Sequence, residues 1–285
     1  MSTNIDGYSL FASSTAGLVT RVMTHPLDTI KIRLQSSTTG SNNLSGLQKV
    51  IFPTGGQNLA GLYRGLPVAL IFSVPALTVY LTSYEAAKGL LHDHGIARDA
   101  VMSHLTSACL AEVAACLLFT PMEVLKNRLQ TYKGQMGNQK LIGTIFRQEG
   151  IRGFYKGYGM GLAVFVPHSM VYFLTYEKMK GWWMSKDEKT NPWWLYMICS
   201  GVAGVTAISI STPLDIIKTR WQISAAENGQ AFRSGPWHIA KQIFLHEGKT
   251  TLLRSFGATV AWGLPTTAIS MTVFEMLKDN RHAFS

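Results

Sequence analysis

The sequence predicts an all-α membrane protein: six transmembrane helices in three pseudo-symmetric repeats, with three short surface helices between the spans. Three observations carry this reading. A ten-residue motif recurs three times in phase. Each copy follows an apolar stretch near the ~20 residues that cross a bilayer. Only 15% of the residues are charged, against about 25% in an ordinary soluble domain, while 47% are apolar.

The first repeat, 7–92, opens with apolar and small residues over 8–25. These lead into Pro26-Leu27-Asp28-Thr29-Ile30-Lys31-Ile32-Arg33-Leu34-Gln35. A second stretch, 66–84, ends in Tyr84-Glu85-x-x-Lys88. The second repeat, 100–184, has its spans at 103–120 and 158–176. Its motif is Pro121-Met122-Glu123-Val124-Leu125-Lys126-Asn127-Arg128-Leu129-Gln130, and its second span ends in Tyr176-Glu177-x-x-Lys180. The third repeat, 193–280, has spans at 195–212 and 257–274. Its motif is Pro213-Leu214-Asp215-Ile216-Ile217-Lys218-Thr219-Arg220-Trp221-Gln222, and its end is Phe274-Glu275-x-x-Lys278. The motif prolines stand 95 and 92 residues apart. Each should kink its helix, because proline lacks a backbone donor and clashes with the preceding turn. Small residues four apart, Ser13/Gly17 and Ser200/Gly204, let helices approach closely. Polar segments between the spans, such as 139–150, supply the short surface helices.

Composition narrows the function classes. Mean hydropathy is +0.12 and net charge is +10, which fits helices with one apolar and one polar face. Basic charge alone suits nucleic acid or anionic lipid. Here the Lys and Arg residues sit inside helix-end motifs, not in a contiguous patch, so no nucleic-acid partner is expected. Cys109, Cys116 and Cys199 have no metal-ligand spacing, and their odd number argues against a disulfide framework. No catalytic triad, phosphate-cradling glycine loop or metal cluster has the required spacing, so the sequence predicts neither an enzyme nor a cofactor. The residues before Leu10 carry no Lys or Arg. Any organellar address is therefore expected inside the chain.

The triple Pro-x-[Asp/Glu]-x-x-[Lys/Arg]-x-[Lys/Arg] pattern resembles the signature of the mitochondrial carrier family, as does Glu149-Gly150-x-x-x-x-Tyr155-Lys156-Gly157. Gln57 and Ser255 depart from the second pattern, where the family has an acid and a glycine. The resemblance implies a multi-pass carrier of the mitochondrial inner membrane, acting as a monomeric antiporter with no cofactor. It implies a barrel around a central cavity, matrix-side surface helices, alternating access to a small-molecule substrate, and bound cardiolipin. The departure at Ser255 puts the third lipid site in doubt. The resemblance also implies two rings of ion pairs. On the matrix side these are Asp28–Lys126, Glu123–Lys218 and Asp215–Lys31, with Gln35, Gln130 and Gln222 bridging them. On the cytoplasmic side they are Glu177–Lys88, Glu275–Lys180 and Glu85–Lys278. Tyr84 and Tyr176 would brace the second ring; Phe274 has no hydroxyl to do so.

The residues also support such rings directly. Ionisable groups inside membrane helices are costly and usually paired, and an acid and a base three apart share one helix face. Helix stapling is the plainer alternative. Substrate residues should instead break the threefold symmetry. Arg21 stands where the other repeats have Cys116 and Ile208. Glu112 stands where they have Gly17 and Gly204. The two either bind a solute or pair with each other. Before Pro75, Pro167 and Pro265 lie Phe72-Ser73, Val164-Phe165 and Trp262-Gly263, with no base among them. In the family the chain resembles, substrate contacts lie at these positions and carriers of nucleotides or carboxylates usually have bases there, so the resemblance argues against such a polyanionic substrate. Phe72, Phe165 and Trp262 form either an aromatic box for a cation or flat ring, or ordinary packing. His168 either lines the cavity or packs as a neutral imidazole. A zwitterionic or cationic solute, an amino acid or derivative, fits best. Residues 112–124 resemble S-adenosylmethionine carriers locally; those have an acid at the Arg21 position and Arg-Glu at Val164-Phe165. A degenerate carrier serving as a scaffold would be expected to have lost gate residues, and all twelve are present.

Overall fold

A computed structural model of the chain describes residues 7–37, 48, 50–52, 59–97, 101–132, 137–183, 193–224 and 235–279. Within these, the side chains of Ser13, Phe274, Glu275 and Lys278 lie outside the described residues, as does Gln57. Six long helices dominate: α1 (Gly7–Ser36), α2 (Leu66–Asp93), α3 (Val101–Thr131), α5 (Tyr158–Trp183), α6 (Trp193–Ile223) and α8 (Gly248–Asp279). Two short helices, α4 (Asn138–Glu149) and α7 (Pro236–Gln242), lie between them. The corresponding surface helix of the first repeat falls mostly outside the described residues.

The long helices form a closed ring. Each packs on its chain neighbour in the ring order α1, α2, α3, α5, α6, α8, and α8 returns to α1. The broadest contacts join one repeat to the next: α2 to α3, α5 to α6 and α8 to α1. Among the described residues four segments, Leu59–Asp93, Met102–Thr131, Ile151–Trp183 and Ile198–Ile223, are long and apolar enough to cross a membrane; they fall on α2, α3, α5 and α6. Helix α1 interrupts its apolar residues with Arg21, His25, Asp28 and Lys31, and takes its place through packing against α8. Outer faces are greasy: Ile71 is 70% exposed, Leu174 58% and Leu110 54%. Apolar groups on the outside need a lipid solvent, because water would oppose their exposure.

The apolar windows 8–25, 103–120 and 195–212 stop short of the motif prolines, yet the odd helices run on to Ser36, Thr131 and Ile223 with Pro26, Pro121 and Pro213 inside them. Proline removes one intrahelical bond, and tertiary bonds of the following turns keep the chain helical. Two apolar clusters seat the surface helices. Leu141 and Ile145 of α4 pack with Val124, Leu125 and Leu129 of α3. Ile239 of α7, with Ile243 in the π-helical turn that follows, packs with Ile216 and Ile217 of α6.

The third repeat departs from the other two where its sequence does. Gly65 and Gly157 hold φ of 82° and 90° and turn the chain into α2 and α5. A Cβ on Gly157 would stand 3.0 Å from Gln222 Cγ, and one on Gly65 3.2 Å from the Lys126 carbonyl oxygen. Ser255 holds the equivalent place in repeat three. It sits inside α8, which runs unbroken from Gly248, and its hydroxyl is buried without a partner. A residue with a Cβ resists left-handed backbone, so the turn is replaced by extra helix. Gly157→Ala is therefore expected to destabilise the protein by about 1–3 kcal/mol. Ser255→Ala is expected to stabilise it by about 1 kcal/mol, since it deletes an unsatisfied buried hydroxyl. Melting temperatures in detergent check both; a Gly157→Ala protein that melts like wild type would contradict the close approach.

Candidate functional site

Helices α1, α3 and α6 converge at one end and touch one another in all three pairings. The acid and lysine of each motif, three residues apart, reach different neighbours. Lys126 Nζ lies 2.9 Å from Asp28 Oδ2, Lys218 Nζ 2.7 Å from Glu123 Oε2, and Lys31 Nζ 3.1 Å from Asp215 Oδ2. The three pairs close a ring across the barrel. A glutamine donates into each: Gln130 to Asp28 at 3.0 Å, Gln222 to Glu123 at 3.1 Å and Gln35 to Asp215 at 2.9 Å. Two of these amide oxygens accept in turn, from Asn127 at 2.8 Å and Thr219 at 3.3 Å. The paired side chains keep 11–29% exposure. A pair that retains some water contact loses less when it separates than a dry one does.

The motif arginines form a second threefold set behind the ring, which the sequence reading left without a role. Arg33, Arg128 and Arg220 donate through Nε to the backbone oxygens of Gln130, Gln222 and Gln35, each at 2.8 Å. Arg128 also forks onto Glu149 at 2.5 and 3.1 Å, and Arg220 onto Glu247 at 2.5 and 2.7 Å. Arg33 instead donates to the Ile51 carbonyl and, at 3.0 Å, to the Gly61 carbonyl. Each of α1, α3 and α6 is thereby bolted both to the next repeat and to its own surface segment. The signal was present in the sequence, as a base seven residues after every motif proline.

Above the ring lies a cavity of about 460 Å³, within the size range of metabolite sites. Arg21, Glu112 and Trp262 line it, with His25, Cys116 and the ring residues. Phe72, Val164, Phe165 and His168 are not among the lining residues. Phe72 packs against the cluster around Met122, and His168 Nδ1 meets Ser211 Oγ at 3.1 Å. An aromatic box is therefore not assembled; of its three expected members only Trp262 faces the cavity. Arg21 and Glu112 do not pair with each other. The carboxylates acting on Arg21 are Asp28 and Glu123, both already held by lysines. Glu112 Oε1 accepts from Cys116 Sγ at 3.3 Å. Gly17, one turn before Arg21, leaves open space where a Cβ would stand. Among the described residues the cavity thus presents a guanidinium that no carboxylate pairs, and a carboxylate with spare acceptor capacity.

At the opposite end only one of the three expected pairs, Glu177–Lys88, has both side chains among the described residues. Among the described residues no ion pair joins Glu177 to Lys88. Lys88 lies 5.8 Å from the Tyr84 ring centroid, and the Tyr84 hydroxyl meets His104 Nδ1 at 2.7 Å rather than bracing a carboxylate–lysine pair. Tyr80 stacks on Tyr84 and Tyr172 on Tyr176. The pairs expected of Glu275 and Lys278, with Lys180 and Glu85, rest on side chains outside the described residues.

The family model for mitochondrial carrier proteins matches residues 7–95, 97–187 and 189–283. An uncharacterized mitochondrial carrier of Schizosaccharomyces pombe is 34% identical over 96% of this chain and 98% of its own length. Mitochondrial substrate carrier family protein E of Dictyostelium discoideum is 30% identical over 94% of each. A mitochondrial S-adenosylmethionine carrier protein of Xenopus tropicalis is 36% identical over 78% of this chain and 77% of its own.

Glu149 stands outside the spanning segments and gives a pH test of the arginine relay. Burial pushes its carboxyl up, but Arg128, aided by Lys156, holds it below the ordinary glutamate value. A depressed carboxyl adds stability above its unfolded pKa, and loses it as pH falls through the folded value. Acidification below the usual glutamate range should therefore lower the amide-exchange protection factors of 138–149, taken relative to the intrinsic rate at each pH. Glu149→Gln should flatten that dependence. An α4 whose protection ignores acid in the wild-type protein would sink the relay.

Proposed function

The chain belongs to the mitochondrial carrier family, and from that premise we propose that it moves a zwitterionic or cationic amino-acid derivative across the inner membrane by alternating access. One observation carries the solute class: two unpaired, opposite charges, Arg21 and Glu112, line one cavity of about 460 Å³. Arg21 offers a forked donor to a carboxylate. Glu112 offers oxygens to an ammonium or sulfonium. Charge-assisted contacts of this kind are roughly twice as strong as neutral hydrogen bonds. S-adenosylmethionine carries both groups, and relatives bearing that name support it as the first candidate. The departures at Arg21 and Val164-Phe165 make close amino-acid analogues the competitors in the same assay.

The ion pairs supply the gating. With the three lower pairs made and Glu177 not joined to Lys88, the geometry fits a cavity closed toward the matrix and open toward the intermembrane space. Movement to the other state requires the lower ring to part while the upper ring forms. Antiport, a monomeric unit and cardiolipin at the surface segments belong to this reading.

The solute contacts are tested by Arg21→Ala and Glu112→Gln. Each should abolish uptake of S-adenosylmethionine into liposomes and remove ligand-induced thermal stabilisation, while the empty protein stays folded. If the double variant Arg21→Met with Glu112→Gln takes up solute like wild type, neither residue binds it. The gate is tested by charge reversal. Asp215→Lys should abolish exchange, because two like charges then meet at closure. Adding Lys31→Asp should restore part of it. Exchange in the double variant no better than in either single one would refute the assigned pair.

A further inference from the structure

We infer that Trp262 is a positioning residue that ties occupancy of the cavity to the Lys31–Asp215 pair: its ring holds the Lys31 ammonium, and a cationic solute that competes for that ring loosens the pair and starts the lower ring opening. The inference rests on the reading of this cavity as the solute site.

The three lower pairs are alike in their acid, lysine and glutamine, but not in what else holds the lysine. Lys31 Nζ lies 3.1 Å from Asp215 Oδ2 and 4.8 Å from the centroid of the Trp262 ring. That is well inside the ~6 Å over which a ring face attracts a cation. Among the described residues neither Lys126 nor Lys218 sits over an aromatic ring. The residues equivalent to Trp262 are Phe72 and Val164. Phe72 is packed into the apolar cluster of α3, and Val164 has no ring. One of the three pairs is therefore singular, and its extra partner is a cavity residue.

The contact also joins three helices at once. Lys31 comes from α1, Asp215 from α6 and Trp262 from α8, at the seam where the third repeat closes on the first. Gln35, which donates to Asp215 at 2.9 Å, also donates to Thr259 of α8 at 3.4 Å. A ring face satisfied by Lys31 is unavailable to a solute cation. A solute that takes it stabilises the arrangement in which Lys31 has left, and so shifts the gate toward opening by its differential affinity. The other two pairs lack such a handle, so opening begins at this seam.

The test separates binding from turnover, with S-adenosylmethionine and L-lysine as probes in liposomes. Trp262→Leu keeps apolar bulk and deletes the ring face; Trp262→Met serves as a second variant if leucine does not fold. The expected result is a unidirectional uptake into solute-free liposomes that rises by roughly tenfold, the size of one desolvated cation–π contact, because the empty gate has lost the ring that held Lys31. The maximal exchange rate between solute-loaded sides, KM and ligand-induced stabilisation should stay within about twofold, since Arg21 and Glu112 still hold the solute. Trp262→Phe should restore most of the restraint on the empty gate. A raised KM with unchanged maximal rate would make Trp262 a plain solute contact and overturn the inference. Unchanged kinetics in Trp262→Leu, or failure of Trp262→Phe to rescue, would overturn it equally. If the wild-type protein takes up neither probe, the solute reading falls and the inference falls with it.

Discussion

The ring of three ion pairs at the convergence of α1, α3 and α6 is the constraint on which the rest of the structure depends. Three helices that converge at one end need something to hold them there. Apolar packing alone supplies little drive between helices in lipid, because lipid tails are as apolar as the side chains. Pairs of opposite charge supply it, because the alternative is an uncompensated charge in a membrane helix. Each acid takes its lysine from a different repeat, so no pair can form inside one repeat, and closure is cooperative by construction. The glutamines and arginines extend the same logic outward. Gln35, Gln130 and Gln222 contribute side-chain donors to the carboxylates and backbone acceptors to the arginines behind them.

Close approaches follow from that ring. Gly65 lies against Lys126 and Gly157 against Gln222, so the entries to α2 and α5 are each fitted to a ring residue of the next repeat. Where Ser255 replaces the glycine, the chain enters as continuous helix and Thr259 meets Gln35 instead. The third sector thus reaches the same ring by a different route. It is also the sector whose lysine lies over Trp262.

Symmetry divides the labour. Parts that recur three times do mechanical work: lysines, carboxylates, glutamines and arginines join helices. Parts that occur once face the cavity: Arg21, Glu112 and Trp262 line it and have no counterparts of the same kind. On the proposed reading, an asymmetric solute is recognised by the parts that occur once, because a contact repeated three times cannot tell its ends apart.

The sequence by itself determined the number of repeats and the six long helices. These are written as spacing, in a period of about 93 residues with acid, base and glutamine at constant offsets; which acid meets which lysine was implied by the resemblance to the carrier family, and the convergence of α1, α3 and α6 brings those partners together. The sequence also singled out Arg21 and Glu112, because a charge that breaks a repeat is visible without coordinates. Only the tertiary structure decided the rest. Whether Arg21 and Glu112 meet depends on helix rotation, and a turn of one helix by a single residue moves a side chain by about 100°. The same rotation put Trp262 in the cavity and left Phe72, Val164, Phe165 and His168 off its wall. Partners for the arginines lie on surface segments tens of residues away, and a hydrogen bond to a backbone oxygen leaves no residue type to read. The union of Tyr84 with His104 follows from the packing of α2 on α3, which no motif in either helix announces. Spacing along a chain records what repeats; which unique side chains face one another is set by the rotation and tilt of packed helices.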